Sequence, residues 1–427
     1  MSPIDESYDL VVIGGGAAGF FAAINCAENY DGARILILEK GRQPLAKVRI
    51  SGGGRCNVTH ACFDTATLTQ YYPRGSQELR GPFSRFQPAD TLRWFEKHGV
   101  MLVAEADGRI FPASNTSQTI IDCFLGAAGR SNIAIRTQCA VETLQPAEKG
   151  FELGLRQGGR LFARFVLLAS GGDPGSMQLA VSAGHSLAPP VPSLFTFHVQ
   201  DPRLEGLSGL SVDPVEISLP AARLSQRGPL LVTHWGVSGP AVIRLSAWAA
   251  RYLHEQNYRA KLTINWLPGE RPEEISAALT AAKQHTPRQQ VATHAPFPAL
   301  PARLWRRLVQ ASGMGADLTW AEATRGQLHT LGEQLSCASF TLQGKSAFKE
   351  EFVTCGGVPL REVDLRTMHS RVCPGLFLAG EVLDIDGVTG GFNFQNAWTT
   401  AWLAAQEIAL RLEKSSYFSA PPMPRDG

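Results

Sequence analysis

The chain contains no apolar run approaching the roughly 20 residues that a membrane-spanning helix needs, so a helical membrane protein is not expected. It carries little net charge. Forty Lys and Arg stand against 38 Asp and Glu, a formal +2. No global field therefore advertises a nucleic-acid partner, although local basic patches remain open. It has no C-x-x-C pair. Cys26, Cys56, Cys62, Cys123, Cys139, Cys337, Cys355 and Cys373 are scattered, with no metal-ligand spacing. That speaks against a metal site and for reduced thiols in a cytoplasmic protein. Met1 to Tyr8 is polar and acidic rather than leader-like, so no secretory signal is expected, and Asn57-Val58-Thr59 and Asn115-Thr116-Ser117 carry no glycosylation meaning. Internal repeats and low-complexity tracts are also missing.

What remains is a chain of 427 residues, 44% hydrophobic, long enough for two or three domains around a large core. Its most informative feature is Gly14-Gly15-Gly16-Ala17-Ala18-Gly19. The loop follows the apolar run Asp9 to Ile13 and opens a helix of small residues. A second run, Arg34 to Leu38, ends in Glu39. In such a strand–turn–helix, Gly14 makes the tight turn, Gly16 admits a pyrophosphate and Gly19 lets the helix pack on the strand. The helix N-terminus offers free N–H groups, and Glu39 is placed to accept from a ribose. The bland alternative is a glycine turn that only packs a helix on a sheet. No second G-x-G-x-x-G follows a strand, so a dedicated nicotinamide-nucleotide domain is not evident.

Along the chain, residues 8–40 read β-α-β, and Pro44 to Thr59 reads as an ordered glycine-rich loop. Helices are expected over Pro88 to His98 and Ser117 to Ala128, and a hairpin over Phe151 to Leu168. Proline-punctuated alternating segments after Pro189 suggest an antiparallel barrel or sandwich. Ser238-Gly239-Pro240 starts a helix over Ala241 to Tyr252, with Ser238 as its N-cap. Helices over Glu273 to Lys283, Pro301 to Ser312 and Gly326 to Cys337 suggest a small helical subdomain. The α/β character then returns, with a strand at Leu376 to Leu378 and a long helix from Asn393 to Leu412. The expected division is 1–190 and 341–415 for two segments of one Rossmann-type domain, 191–267 for an inserted β-rich domain, 268–340 for a helical subdomain and 416–427 for a loose tail.

Gly380-Glu381 ends that buried strand and completes the site. In two-segment flavin folds, such an acid lies on the ribityl chain or near the pyrophosphate. The helix starting near Asn393, after Asp386, Gly390 and Gly391, aims its N–H groups at an electron-rich ring edge. A plain strand–loop–helix packing unit is the alternative.

These segments resemble the BaiN-like (YhiN-type) family of bacterial NAD(P)/FAD-dependent oxidoreductases over essentially the whole chain. The resemblance is carried by Gly14 to Gly19, Lys47 with Ser51-Gly52-Gly53-Gly54-Arg55-Cys56-Asn57, Gly108 to Pro112, Ala169-Ser170-Gly171-Gly172, Gly206 to Val212, Thr233 to Ala241, Val353 to Val358, Thr367-Met368 and Gly380 to Gln395. It departs at Ser170, where Thr is usual, and at His60, where Asn often stands. The resemblance implies an α/β fold: a two-segment Rossmann-type FAD-binding domain with an inserted β-barrel and a small helical subdomain. It implies FAD as cofactor, NAD(P)H as transient electron donor, and reduction of a conjugated C=C bond. One branch is associated with a uridine of large-subunit ribosomal RNA, another with a bile-acid ring. A flavin-containing protein that binds RNA or a partner without turnover is the non-enzymatic alternative. Oligomeric state stays open.

The residues expected at FAD are Gly14, Gly16, Ala17, Ala18, Gly19, Glu39, Lys40, Lys47, Ser51, Gly53, Gly54, Arg55, Asn57, Val141, Ser170, Gly171, Gly380, Glu381, Asp386, Gly391, Phe392 and Asn393. Consecutive glycines at 52–54 form an anion nest. Cys56 is the candidate proton donor, with Arg55 expected to lower its pKa; a small packed thiol is the alternative. Cys355 is a weaker candidate of the same kind. Arg303, Arg306 and Arg307 share one helix and read either as an RNA-phosphate contact or as a solvated face.

Overall fold

The computed structural model describes residues 6–345 and 353–419. The chain forms two compact units, Met1–Pro190 with Val353–Gly427, and Val191–Phe352.

In the first unit, β1 (Glu6–Ile13), β2 (Ile35–Leu38), β3 (Ala134–Arg136), β4 (Arg160–Leu168) and β5 (Leu376–Leu378) lie parallel in the order β3-β2-β1-β4-β5. β2 and the second half of β1, Leu10 to Ile13, are unbroken Val, Ile and Leu, the pattern of strands covered on both faces. The strands end level: Arg136, Leu38, Ile13, Leu168 and Leu378 form one row of cross-strand partners. The order reverses between β1 and β4, and the crevice above that point is where doubly wound sheets take ligands. The hairpin Val141–Ala147 with Gly150–Leu155 joins the sheet through β4.

The helix α1 (Ala17–Asn29) connects β1 to β2 and is buried from Ala18 through Cys26, as expected of a helix apolar on all sides. It packs against α3 (Phe392–Ser419), the last helix. Phe21 is the hub of this contact, 4.5 Å from Trp94 and 5.2 Å from Trp398 by ring centroids. Each such ring, taken out of water, contributes about 1.5–3 kcal/mol.

Two expectations change here. The stretch read as a loop after Pro44 holds α2 (Ala46–Gly54), which is regular only at its start. Ala46 to Ile50 tolerate helix, and the glycines then break it. The final helix continues beyond Leu412 to Ser419, into the stretch expected to be loose, because the first proline after it is Pro421. Residues 420–427 of that expected tail lie outside the described residues.

The second unit is built on an antiparallel sheet. Ser211–Leu219, Leu224–Thr233, Gly236–Ser238 and Ala260–Asn265 form its body. The run 338–345 pairs with Ala260–Asn265 through Ala338–Leu342 and with Phe197–His198 through Gly344–Lys345. The sheet path thereby returns on itself as a barrel does. Helices Pro272–His285, Ala302–Ala311 and Arg325–Ser336 do not stand apart. Leu279, Trp305 and Leu331 share one core with Leu262 and Ile264 of the sheet. The helix expected over 241–252 is Pro240–Trp248 followed by Ala250–Glu255, and its N-cap is Gly239, not Ser238. Ser238 is held in strand, and its hydroxyl is 3.3 Å from that of Thr196.

Candidate cofactor site

The first segment of the site grows from the level ends of the parallel strands. After Ile13, Gly14 turns the chain with φ +116°, and its N–H donates to the Leu38 carbonyl at 2.8 Å. Gly19 lies so close beneath it that an added Cβ would come 2.0 Å from the Gly14 oxygen. Gly16 is different: a Cβ there would meet nothing within 4 Å. Gly16 is also the N-cap of α1, and no side chain caps the helix. The N-terminal turn, including Ala17 and Ala18, therefore presents unclaimed N–H groups and a positive dipole end at the switch point.

Glu39 holds this loop. One carboxylate oxygen accepts from Gly15 N–H at 2.9 Å, the other from Gly41 N–H at 2.6 Å. Each oxygen keeps a second lone pair for a ribose hydroxyl. Val141 lies on the same side, two residues beyond Cys139, whose N–H donates to the Glu39 carbonyl at 2.9 Å. Lys40 is not a free cation; it is ion-paired with Asp173.

Across the crevice, the chain leaves β4 at Leu168 and passes through Ala169 into Ser170 and Gly171. The Ser170 hydroxyl is buried and has no hydrogen-bond partner among the described residues. Gly171 lies beside Glu381, whose carboxylate accepts from Lys47 Nζ at 2.7 Å and from Thr354 N–H at 2.8 Å. Gly380 N–H donates to Thr400 Oγ1 at 2.9 Å, and a Cβ on Gly380 would lie 3.1 Å from that of Ala18. Early and late segments of the chain thus meet here.

The turn after α2 forms the third wall. Ser51 Oγ donates to the Val48 carbonyl at 2.8 Å. Gly52, Gly53 and Gly54 are consecutively left-handed, with φ +57°, +68° and +85°. Gly53 and Gly54 face open space. Successive N–H groups of such a turn make a concavity suited to an anion or electron-rich edge. Asn57, with its amide oriented to suit its neighbours, donates to the Thr59 carbonyl at 3.0 Å and accepts from Gly391 N–H at 3.1 Å. Gly391 must be glycine: a Cβ would strike the Thr59 oxygen at 2.5 Å. Asn393 closes the loop before α3, accepting from Gly387 N–H and donating to the Gly387 carbonyl, both at 2.8 Å. Phe392 is buried between Tyr71, 4.3 Å away by centroids, and His60, 4.8 Å away.

Three expectations are corrected by this geometry. Arg55 does not act on Cys56. Its guanidinium donates to Glu105 at 2.7 Å and Asn115 at 3.2 Å, and lies over the Phe111 ring. Cys56 is 0% exposed, and burial pushes its thiol up to about 12. A thiol that stays protonated beneath its own turn is set for packing rather than for proton delivery at neutral pH. Asp386 is fully buried and bound by the Arg74 side chain, so it ties two loops rather than facing a ligand. Arg74, Thr354 and Thr400 were not anticipated. Their partners lie 312, 27 and 20 residues away in the chain, and only Thr354 lay in a stretch already singled out.

The crevice fits a dinucleotide. It has an open Gly16, an uncapped helix start and the unpartnered Ser170 hydroxyl. The amide oxygen of Asn396, in the second turn of α3, is likewise buried without a partner among the described residues. The strand order, switch point and glycine loop define a Rossmann-type dinucleotide-binding α/β protein. A family model described as the HI0933-like protein Rossmann domain matches residues 8–407. The chain belongs to the HI0933-like family. It is 29% identical over 420 residues to a ribosomal RNA dihydrouridine synthase of Escherichia coli (strain K12), covering 94% of this chain and 98% of that one. It is 30% identical over 412 residues to a 3-dehydro-bile acid delta(4,6)-reductase of Clostridium scindens, with the same coverage of both chains. A solved 3-ketosteroid-delta4-(5alpha)-dehydrogenase from Rhodococcus jostii RHA1 shares the fold, with a TM-score of 0.51 at 14% identity, over 96% of this chain and 98% of that one.

Proposed function

We propose that this chain is an FAD-dependent reductase of a conjugated C=C bond, with a uridine of large-subunit ribosomal RNA as substrate and NAD(P)H as transient electron donor. One observation carries the cofactor reading: the open Gly16 and the unpartnered Ser170 hydroxyl face the same switch point. In this reading the N-terminal turn of α1 takes the pyrophosphate, and Glu39 takes a ribose. Lys47 and Glu381, paired at 2.7 Å, orient the middle of the cofactor. The turn at Gly53-Gly54 and the start of α3 lie against the ring. Bound FAD supplies the hydride-transfer chemistry. Water or a substrate-side group delivers the proton, since Cys56 is sealed in.

The RNA reading is supported by relatives that carry the dihydrouridine synthase name. A small enone-like metabolite is the second reading, favoured by the comparable identity to the bile-acid reductase. Eight scattered cysteines without metal-ligand spacing suit a cytoplasmic location. Among the described residues no helix is long and apolar enough to cross a membrane. Anaerobic mixing of the FAD-loaded protein with NADH or NADPH tests the enzyme reading. Bleaching of the flavin absorbance is expected, and no change with either donor overturns it. A dihydrouridine map of ribosomal RNA from a deletion strain tests the substrate: one missing modification is expected, and an unchanged map removes the RNA reading.

A further inference from the structure

The helix Ala302–Ala311 buries Leu304, Trp305, Leu308 and Val309. Its other face carries Arg303, Arg306 and Arg307, at i, i+3 and i+4, so the three guanidinium groups crowd one patch and repel one another. At several other helices the chain sets a carboxylate one turn from an arginine, as in Arg93 with Asp90, Arg271 with Glu274, and Arg411 with Glu407. Here it does not. Arg303 donates to the Gly206 carbonyl, and Arg306 and Arg307 have no hydrogen-bond or ion-pair partner among the described residues. Asp201, in the neighbouring loop, is claimed by Arg203 at 2.7 Å.

A second feature points the same way. Arg303 stands in the first turn, where the helix dipole opposes a cation. That turn contains no acid, and its N-cap, Pro301, offers no side-chain hydrogen bond. The helix start therefore combines free N–H groups with uncompensated guanidinium groups. Both are suited to phosphate, and both cost stability in its absence.

We infer that the face of Arg303, Arg306 and Arg307 docks the phosphodiester backbone of the RNA substrate. This rests on the RNA reading above. Contacts of this kind position a nucleic acid without reading its sequence, and they make affinity fall with salt. The test measures binding of the FAD-loaded full chain to a protein-free fragment of large-subunit ribosomal RNA across a salt series. The variants are Arg306→Gln with Arg307→Gln, and the charge-keeping Arg306→Lys with Arg307→Lys. Arg303 is left intact to preserve its bond to Gly206. The Gln pair is expected to weaken binding roughly tenfold and to make the slope of log K against log salt shallower by about 1 per arginine. The Lys pair is expected to restore most of the slope. Flavin reduction by NAD(P)H and the melting temperature are expected to stay at wild-type values in both. Wild-type binding with an unchanged slope in the Gln pair overturns this surface and leaves the function reading intact. A wild-type chain that does not bind the RNA at all overturns both.

Discussion

Glycine does two different jobs in the candidate cofactor site. Gly19 is enclosed, and a Cβ there would press 2.0 Å from the Gly14 carbonyl oxygen. Gly16, three residues earlier in the same loop, faces open space. The first glycine serves packing of the helix on the strand. The second leaves room for something the chain itself does not supply. The turn at 52–54 repeats the contrast: a Cβ on Gly52 would press 2.9 Å from the Asn57 nitrogen, while Gly53 and Gly54 have open surroundings. A motif spelled only in glycines thus hides a division between fold and function, which substitution can separate.

The largest effect is expected from Gly19→Ala. Its methyl group meets backbone that cannot swing away, so a loss of about 3 kcal/mol or failure to fold is expected, read by thermal melting. A melting temperature within a degree or two of wild type would show the enclosure to be soft. Gly16→Ala comes next and separates the two jobs. Gly16 has a φ of −95°, which alanine accepts, so the fold should be kept. FAD affinity should fall roughly tenfold, equivalent to about 1.4 kcal/mol.

Lys47→Met should lower FAD retention several-fold while changing stability by less than about 1 kcal/mol. The Lys47–Glu381 pair is largely open to solvent on the lysine side and contributes little by itself. If stability falls and FAD retention does not, the pair serves the fold.

The contrast also extends to pH. Glu28, at the end of α1, is held down to about 2 by the hydrogen bond with His98 at 2.8 Å, with Lys97 adding a second. A carboxylate depressed in the folded state stabilises above its ordinary value near 4.5, and that contribution is lost as pH falls toward about 2. Glu28→Gln should flatten the acid limb of the stability curve in that window without affecting FAD content. The smallest effect is expected for Cys56→Ala. Turnover should stay within about twofold of wild type. A loss of a hundredfold or more would restore Cys56 as the proton donor.

What was legible in the sequence was local. The β1–glycine–α1–β2–Glu39 unit follows from contiguous residues, because the turn, the helix start and the acid are all set by neighbours in the chain. The helices read from Pro88, Glu273 and Pro301 were legible for the same reason, and the structure starts them within one residue of those positions. The pairings were not legible. Arg55 stands next to Cys56 in sequence, yet Glu105 and Phe111 take its guanidinium. Asp386 looked available because nothing near it in the chain claims it, and Arg74 does so from 312 residues away. The cap at Gly239 was missed because Ser238 is the better capping residue by type, but strand pairing had already committed its backbone.

The central claim is that the switch-point crevice, entered over Gly16, holds FAD. Cofactor released on denaturing purified wild-type and Gly16→Ala protein, identified by chromatography, tests it most directly. The account predicts about one FAD per wild-type chain and a lower content in a Gly16→Ala variant whose apoprotein melts like wild-type apoprotein. A wild-type chain that neither contains FAD nor takes it up on reconstitution would contradict it.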